Sequence, residues 1–384
     1  MTCTFIESDA ALREFCQAAA RQGRVAIDTE FVWTSTYYPQ LGLVQLSWDQ
    51  EHSALVDALA VSDPSPLRDV IADPSIVKVL HEAASDLPIL RRWCGVLPAR
   101  VFDTRIAAGF CGLTTAVSLS GLLTTQLGVA LAKTETRTDW LQRPLSPAQL
   151  QYAAEDVAWL PRLYEVLHGK IEKLGNLNWL EEEMSVYEQE DYYAEPDPQE
   201  SWRRVSGMGS LSGVALAVLR ELAAWRESTA RSLNKARPRL LRDEQLIYAA
   251  QLQPKTPDDC RSIPNLWPRS AENYGPDIVA AVRRGLETPP ADWPSLGIMP
   301  VDKRSLKVQC DRILSLVRKK AAARDIDPTL VAARREVESL ALAVFRSRGR
   351  PENKALLQGW RYELLKPQID LALGEMAAVR LAGA

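Results

Sequence analysis

The six cysteines (Cys3, Cys16, Cys94, Cys111, Cys260, Cys310) form no CxxC and no close cluster, which argues against a cysteine zinc module and a disulfide framework. They read as reduced thiols of a cytoplasmic protein. Three histidines (His52, His81, His168) are too few and too scattered for a histidine-rich metal site. No GxxxxGK[ST] phosphate loop occurs, so ATP-driven chemistry is not indicated. The stretch GMGSLSG at 207–213 has no strand before it and reads as a linker entering a helix. Long apolar runs are lacking too. The uncharged stretch from Ile106 to Ala132 is studded with Gly, Thr, Ser and Gln, which predicts buried helices broken at Gly112 and Gly121 and argues against a membrane span. The opening residues, MTCTFIESDAALREF, carry acids where a secretory signal would carry basic residues and an apolar run.

What is present is a chain of 384 residues, 46% hydrophobic and 25% charged, with room for two or three soluble domains. RVAIDTEF, LGLVQLSW, HSALVDA and KVLHEA read as successive strands. Helices are predicted at SDLPILRRW, near 106–110, near 119–127 and from Pro147 to about Leu174. This order implies an α/β domain with a mixed sheet and flanking helices. The segment 181–200 holds nine acids and no basic residue and is expected to be a solvated helix end running into a linker. Helical, arginine-rich segments follow, divided by the proline-rich TPPADWPSLGIMP at 288–300. Residues 1–200 hold 15 Lys+Arg and 29 Asp+Glu, and residues 201–384 hold 31 and 20. An acidic module is thus tied to a basic one, and basic helical tails meet polyanions.

Two carboxylates, Asp28 and Glu30, stand two positions apart in the strand VAIDTEF. In a strand, residues i and i+2 share a face, so both charges converge on one small volume and need a cation between them. Asp86 lies near the start of a helix just after a strand, where by itself it reads as a first-turn acid. Tyr152 and Asp156, four apart, share one helix face. Together Asp28, Glu30, Asp86 and Asp156 offer four oxygen ligands, a set suited to magnesium or manganese rather than zinc. A pair of such ions about 4 Å apart activates a water and steadies the leaving oxygen of a phosphodiester.

These residues, with DTEFVWTSTYYPQLGLVQLS, KVLHEAASDL, VFDTRIAA and TDWLQRPLSPAQLQYAAEDV, resemble the 3′-to-5′ exonucleases with four acidic ligands and a tyrosine, the DEDDy family. The resemblance covers the catalytic half. It implies an α/β ribonuclease H-like exonuclease domain, two divalent cations (Mg or Mn) held by Asp28, Glu30, Asp86 and Asp156, and release of 5′-mononucleotides from a 3′ end. Tyr152 matches the residue that orients the attacking water. The histidine subfamily would need His at position 151, which is Gln151 here. With an ordinary pKa near ~10, Tyr152 is assigned hydrogen bonding rather than proton abstraction. RNA with a single-stranded 3′ end, in particular tRNA precursors, is the implied partner of a cytoplasmic, monomeric exoribonuclease. A proofreading-type DNA exonuclease would use the same four acids. A non-catalytic RNA-binding scaffold would be expected to have lost one of them.

The tail resembles the same branch. LAVLRELAAWRESTARSLNKARPRLLRDEQLIYAAQLQP with IPNLWPRSAENYGPDIVAAV is similar to the HRDC helical module, and a divergent copy runs from about Leu306 to LLQGWRYELLKPQI. The expected organisation is an exonuclease domain at 1–180, an acidic linker at 181–209, and two small all-α HRDC-type domains at 210–290 and 291–384. Asn265 stands where the module's turn has Gly, and Asn tolerates the left-handed conformation. Lys235, Arg237, Arg239 and Arg242, and Arg346, Arg348 and Arg350, are two basic clusters read as phosphate contacts or as solvated helix ends. His81 reads as a core histidine with substrate contact as the alternative, and Asp103 as a helix cap. Trp33, Tyr37 and Tyr38 either stack on unpaired bases or pack. Trp140 and Arg143 match a segment next to the site and carry no assigned chemistry.

Overall fold

The computed structural model describes residues 2–131, 138–296, 303–346 and 354–382. The chain forms two compact units, one of Met1–Phe31, Leu41–Tyr193 and Val301–Ala384, the other of Val32–Gln40 and Ala194–Pro300.

The first unit opens with β1 (Thr2–Ile6), α1 (Asp9–Ala20), β2 (Arg24–Val32), β3 (Gln40–Ser47), β4 (His52–Asp57), α2 (Ser65–Ala72), β5 (Val77–Leu80), α3 (Ala83–Cys94) and β6 (Val101–Asp103). It continues with α4 (Thr104–Gly109), α5 (Leu119–Leu127), α6 (Pro147–Ala158), α7 (Leu160–Leu174) and α8 (Leu177–Met184). The sheet order is β1-β4-β3-β2-β5-β6, with β3 and β4 antiparallel and the pairs β1–β4, β2–β5 and β5–β6 parallel. This is the mixed sheet with flanking helices that the sequence implied. The apolar run Val25, Ala26, Ile27 is fully buried, as expected of a central strand covered on both faces. β2 therefore carries its two acids out of the middle of the sheet.

Several elements differ from expectation. β1 and β6 were not among the predicted strands, and β5 stops at Leu80, before His81 and the left-handed Glu82 (φ 67°). The predicted helix from Pro147 to Leu174 is two helices, parted at Trp159 with Pro161 in the first turn of α7. Proline lacks the N–H that a continuous helix would need there. The uncharged stretch is broken at Gly112 (φ 74°), whereas Gly121 sits inside α5, its N–H capped by Ser118. Among the described residues, no helix is long and apolar enough to cross a membrane.

The second unit holds α9 (Gly213–Ser232), α10 (Arg237–Leu240), α11 (Asp243–Leu252) and α12 (Pro268–Glu287), together with the loop 32–40. Tyr37 locks that loop in place. Its hydroxyl donates to Glu227 (2.5 Å) and accepts from Arg231 (2.9 Å), while Arg237 donates to Glu227 (2.8 Å). Burial opposes ionisation of Glu227, but Arg237, Tyr37 and Arg231 outweigh it and hold the carboxyl down at about 2. Arg237 is thus an internal clamp, whereas Lys235, Arg239 and Arg242 are exposed. Asn265 takes the left-handed turn at φ 60°. Trp33 is 59% exposed.

The chain then returns to the first unit with α13 (Lys303–Ala322), α14 (Pro328–Val331), α15 (Arg334–Arg346), α16 (Gly359–Leu365) and α17 (Gln368–Ala382). Trp360 and Phe110 pack at 5.0 Å between ring centroids. Arg361 forms a two-pronged ion pair with Glu183 (2.5 and 2.7 Å), and Trp360 donates its backbone N–H to Glu182 (2.9 Å). Part of the acidic segment is therefore engaged by the C-terminal helices rather than solvated. Arg348 and Arg350 lie outside the described residues, as does the side chain of Arg346.

Candidate active site

β2 and α6 build the site. Strand alternation sends Asp28 and Glu30 to one face, and the helical spacing brings Tyr152 and Asp156 to one face of α6. Carboxylate oxygens of Asp28, Glu30 and Asp156 lie within 4.8 Å of one another. They open into a cleft of about 360 Å³ lined also by Thr29, His81, Ser118, Leu119, Ser120, Leu131 and Tyr152. Asp86 is buried in the first turn of α3, where it accepts the hydroxyl and the backbone N–H of Thr29. Its carboxylate stands beside the three-acid cluster and repels Asp28 and Glu30.

Asp103 sets the start of α3 as well as capping α4. It accepts N–H groups from Glu82 (3.1 Å), Ala83 (2.9 Å) and Arg105 (2.9 Å). Asp103 is therefore the cap that the sequence suggested, and it serves two helices. His81 meets Thr104 at 2.9 Å and lines the cleft. Burial lowers its pKa.

α6 is placed by a loop whose logic the sequence did not disclose. Ser146 and Gln149 form a capping box at its N-terminus. Just before it, Arg143 grips the buried Asp57 with two hydrogen bonds (2.6 and 2.7 Å) and donates to the carbonyls of Gly42 (2.8 Å) and Trp140 (2.9 Å). Gly42 is needed for the close approach, since a Cβ there would lie 2.3 Å from the Trp140 carbonyl oxygen. Trp140 is buried, 6.2 Å from Tyr152 between ring centroids.

The electrostatics show what the acids require. Desolvation, then repulsion by Asp86, Glu30 and Asp156, pushes Asp28 well above the ordinary carboxyl range. Glu30 is pushed up to about 8 by burial and then by Asp156 and Asp86. Burial pushes Asp86 to about 7 and Asp156 to about 6. Among the described residues no Lys or Arg pairs with any of the four. Clustered, desolvated, all-oxygen ligands without a counter-charge fit a hard divalent cation. When bound, such an ion supplies an activated water and neutralises charge on the phosphoryl oxygens. Burial and then the neighbouring Asp156 carboxylate raise the pKa of Tyr152. The phenol therefore stays protonated at neutral pH.

A testable consequence concerns stability. Each acid has a folded-state pKa above its unfolded value, so the folded protein binds more protons, and metal-free stability should fall as pH rises through about 6 to 8. A divalent cation competes with those protons. Adding Mg²⁺ or Mn²⁺ should raise the melting temperature by several degrees at about pH 8 and by much less at about pH 5. Melting curves at both pH values, with chelator and with metal, check this. A metal effect independent of pH would count against the cluster.

The sheet, the flanking helices and the carboxylate cluster define a divalent-metal-dependent 3′–5′ exonuclease. A family profile described as 3′–5′ exonuclease matches residues 3–172, and one described as HRDC domain matches residues 215–282. Ribonuclease D of Desulfotalea psychrophila is 34% identical over 355 residues, 92% of this chain and 94% of that one. Ribonuclease D of Escherichia coli strain K12 is 33% identical over 377 residues, 98% of this chain and 99% of that one. The crystal structure of E. coli RNase D, described as an exoribonuclease involved in structured RNA processing, matches with a TM-score of 0.88 at 33% identity, covering 98% of this chain and 99% of that one. The chain belongs to the ribonuclease D family of 3′–5′ exoribonucleases.

Proposed function

We propose that the chain trims single-stranded 3′ ends of RNA, tRNA precursors in particular, releasing 5′-mononucleotides one at a time. Asp28, Glu30, Asp86 and Asp156 hold two divalent cations, Mg or Mn, and Tyr152 orients the attacking water through its hydroxyl. The observation that carries this reading is the convergence of oxygens from Asp28, Glu30 and Asp156 within 4.8 Å. The enzyme acts as a cytoplasmic monomer. Its working division is an exonuclease domain at 1–180, a linker at 181–209, an HRDC domain at 210–290 and an HRDC-like helical domain at 291–384.

The deciding experiment incubates purified protein with a 3′-extended tRNA, with and without Mn²⁺, and sizes the products. Metal-dependent shortening from the 3′ end in single-nucleotide steps is expected. Cleavage within the chain, or shortening that persists in chelator, would reject the reading. A matched DNA oligonucleotide run in parallel tests the substrate class, because equal hydrolysis of DNA would favour a proofreading-type exonuclease.

A further inference from the structure

Part of the wall of the acidic cleft is the segment that enters α5, where Ser118, Leu119 and Ser120 line the opening. Residues 110–118 connect α4 to α5 and hold no regular helix or strand of their own, so contacts from elsewhere in the chain position them. The C-terminal helices supply them. The buried carboxylate of Asp327, at the start of α14, accepts the backbone N–H of Thr115 at 2.7 Å and its hydroxyl at 3.2 Å. It also accepts the hydroxyl of Thr329 (2.7 Å) and the backbone N–H of Thr329 (2.9 Å). The Asp327 backbone N–H donates to the Gly109 carbonyl at 2.8 Å. Packing there is tight, because a Cβ on Gly109 would lie 2.6 Å from Thr115 and 3.1 Å from Leu330.

From Thr115 the contacts run into the cleft. The Thr115 carbonyl accepts from Arg105, whose guanidinium also pairs with Glu82. His81, a cleft residue that shares the lining with Ser118, is hydrogen-bonded to Thr104, the neighbour of Arg105. A second tie holds the other end of the segment: the buried Asn176 side chain donates to the carbonyls of Phe110 (3.4 Å) and Arg324 (3.0 Å), and Arg324 donates back to Asn176 (2.9 Å). Burial opposes the charge on Asp327, yet the bonds from Thr115 and Thr329 outweigh it and keep the carboxyl below its usual range. It is thus a carboxylate at neutral pH, and bonds to a charged acceptor are the stronger kind.

We infer that Asp327 is a positioning residue for RNA binding: through Thr115 it fixes the wall formed by Ser118, Leu119 and Ser120, against which the 3′-terminal nucleotide lies. The C-terminal helical segment then belongs to the substrate-binding apparatus of the catalytic unit itself. This rests on the proposal that the acidic cleft receives an RNA 3′ end.

The test is steady-state hydrolysis of a single-stranded oligoribonucleotide by Asp327→Ala and Asp327→Asn, beside melting curves with and without Mn²⁺. A wall that wanders weakens binding while the acids keep their geometry. Asp327→Ala should raise KM about tenfold with kcat within about twofold of wild type, and the metal-induced melting shift should be kept. Asp327→Asn retains one acceptor and should fall between. An unchanged KM, or a loss confined to kcat, overturns the inference. So does failure of both variants to fold, which would make the carboxylate a stability determinant alone. A wild-type enzyme without metal-dependent hydrolysis would instead reject the underlying reading of the cleft.

Discussion

Replacing Asp28 by asparagine should lower the rate of RNA hydrolysis by about 10³-fold or more, because under the proposed function an amide in place of a carboxylate removes a charged metal ligand worth several kcal/mol of transition-state stabilisation. The same change should raise the melting temperature of the metal-free protein. Asp28 resists ionisation in the folded state because it is desolvated and faces Asp86, Glu30 and Asp156. A neutral isostere removes that penalty. The stabilisation should be small near pH 5, where the carboxyl is protonated in the fold, and larger near pH 8. The rise in melting temperature on adding Mg²⁺ or Mn²⁺ should shrink at the same time. The two effects have opposite signs, which separates a functional acid from a structural one. A variant that turns over RNA at the wild-type rate would remove Asp28 from the site. One that melts earlier in chelator would make the carboxylate part of the scaffold.

Four of the candidate site residues were legible because they sit in local patterns with a fixed period. Asp28 and Glu30 follow the two-residue repeat of a strand, and Tyr152 and Asp156 the four-residue repeat of a helix. Asp103 announced itself as a cap by its place between a strand and a helix. What escaped the sequence depends on partners far along the chain. For Tyr37 base stacking and packing were both open, and the structure bonds its hydroxyl to Glu227 and Arg231. Arg237 read as a phosphate contact or a solvated helix end and is held by that same glutamate. The acids at 182 and 183 looked solvated and are bonded to Trp360 and Arg361. Short edge elements were missed for a different reason. β1 and β6 have five and three residues, too few to establish a period, and only pairing with β4 and β5 makes them strands.

The same distinction explains why Arg143 had no assigned role. Its partner Asp57 lies at the end of β4, and Gly42 lies in β3, so the contact appears only once the sheet has formed. Burial opposes the charge on Asp57, but Arg143 and the N–H of Leu59 outweigh it and hold the carboxyl below its usual range. The loop before α6 is therefore bolted to the sheet by a charge pair whose acid is 4% exposed at its side chain and whose arginine is 25% exposed. Everything that α6 contributes to the cleft begins three residues further on, at the Ser146 cap.

Arg143→Ala should accordingly cost about 3 kcal/mol of stability, mostly because the Asp57 carboxylate is left buried without its partner. Because the folded-state pKa of Asp57 is depressed, its contribution is present at neutral pH and lost as pH falls through the acid range. The difference between wild type and variant should therefore be largest near pH 7 and shrink as pH falls through the acid range, since a protonated Asp57 needs no cation. Urea denaturation across that range measures it. Activity should fall as well, by about tenfold or more at temperatures where the variant is folded, since a displacement of α6 near 1 Å carries Tyr152 and Asp156 away from Asp28 and Glu30. Arg143→Lys should restore only part of both. A single ammonium can neutralise Asp57, but it cannot match both carboxylate oxygens and reach the carbonyls of Gly42 and Trp140 together. Full activity in Arg143→Ala at reduced stability would show that α6 holds its place without the clamp, and that the pair serves the fold alone.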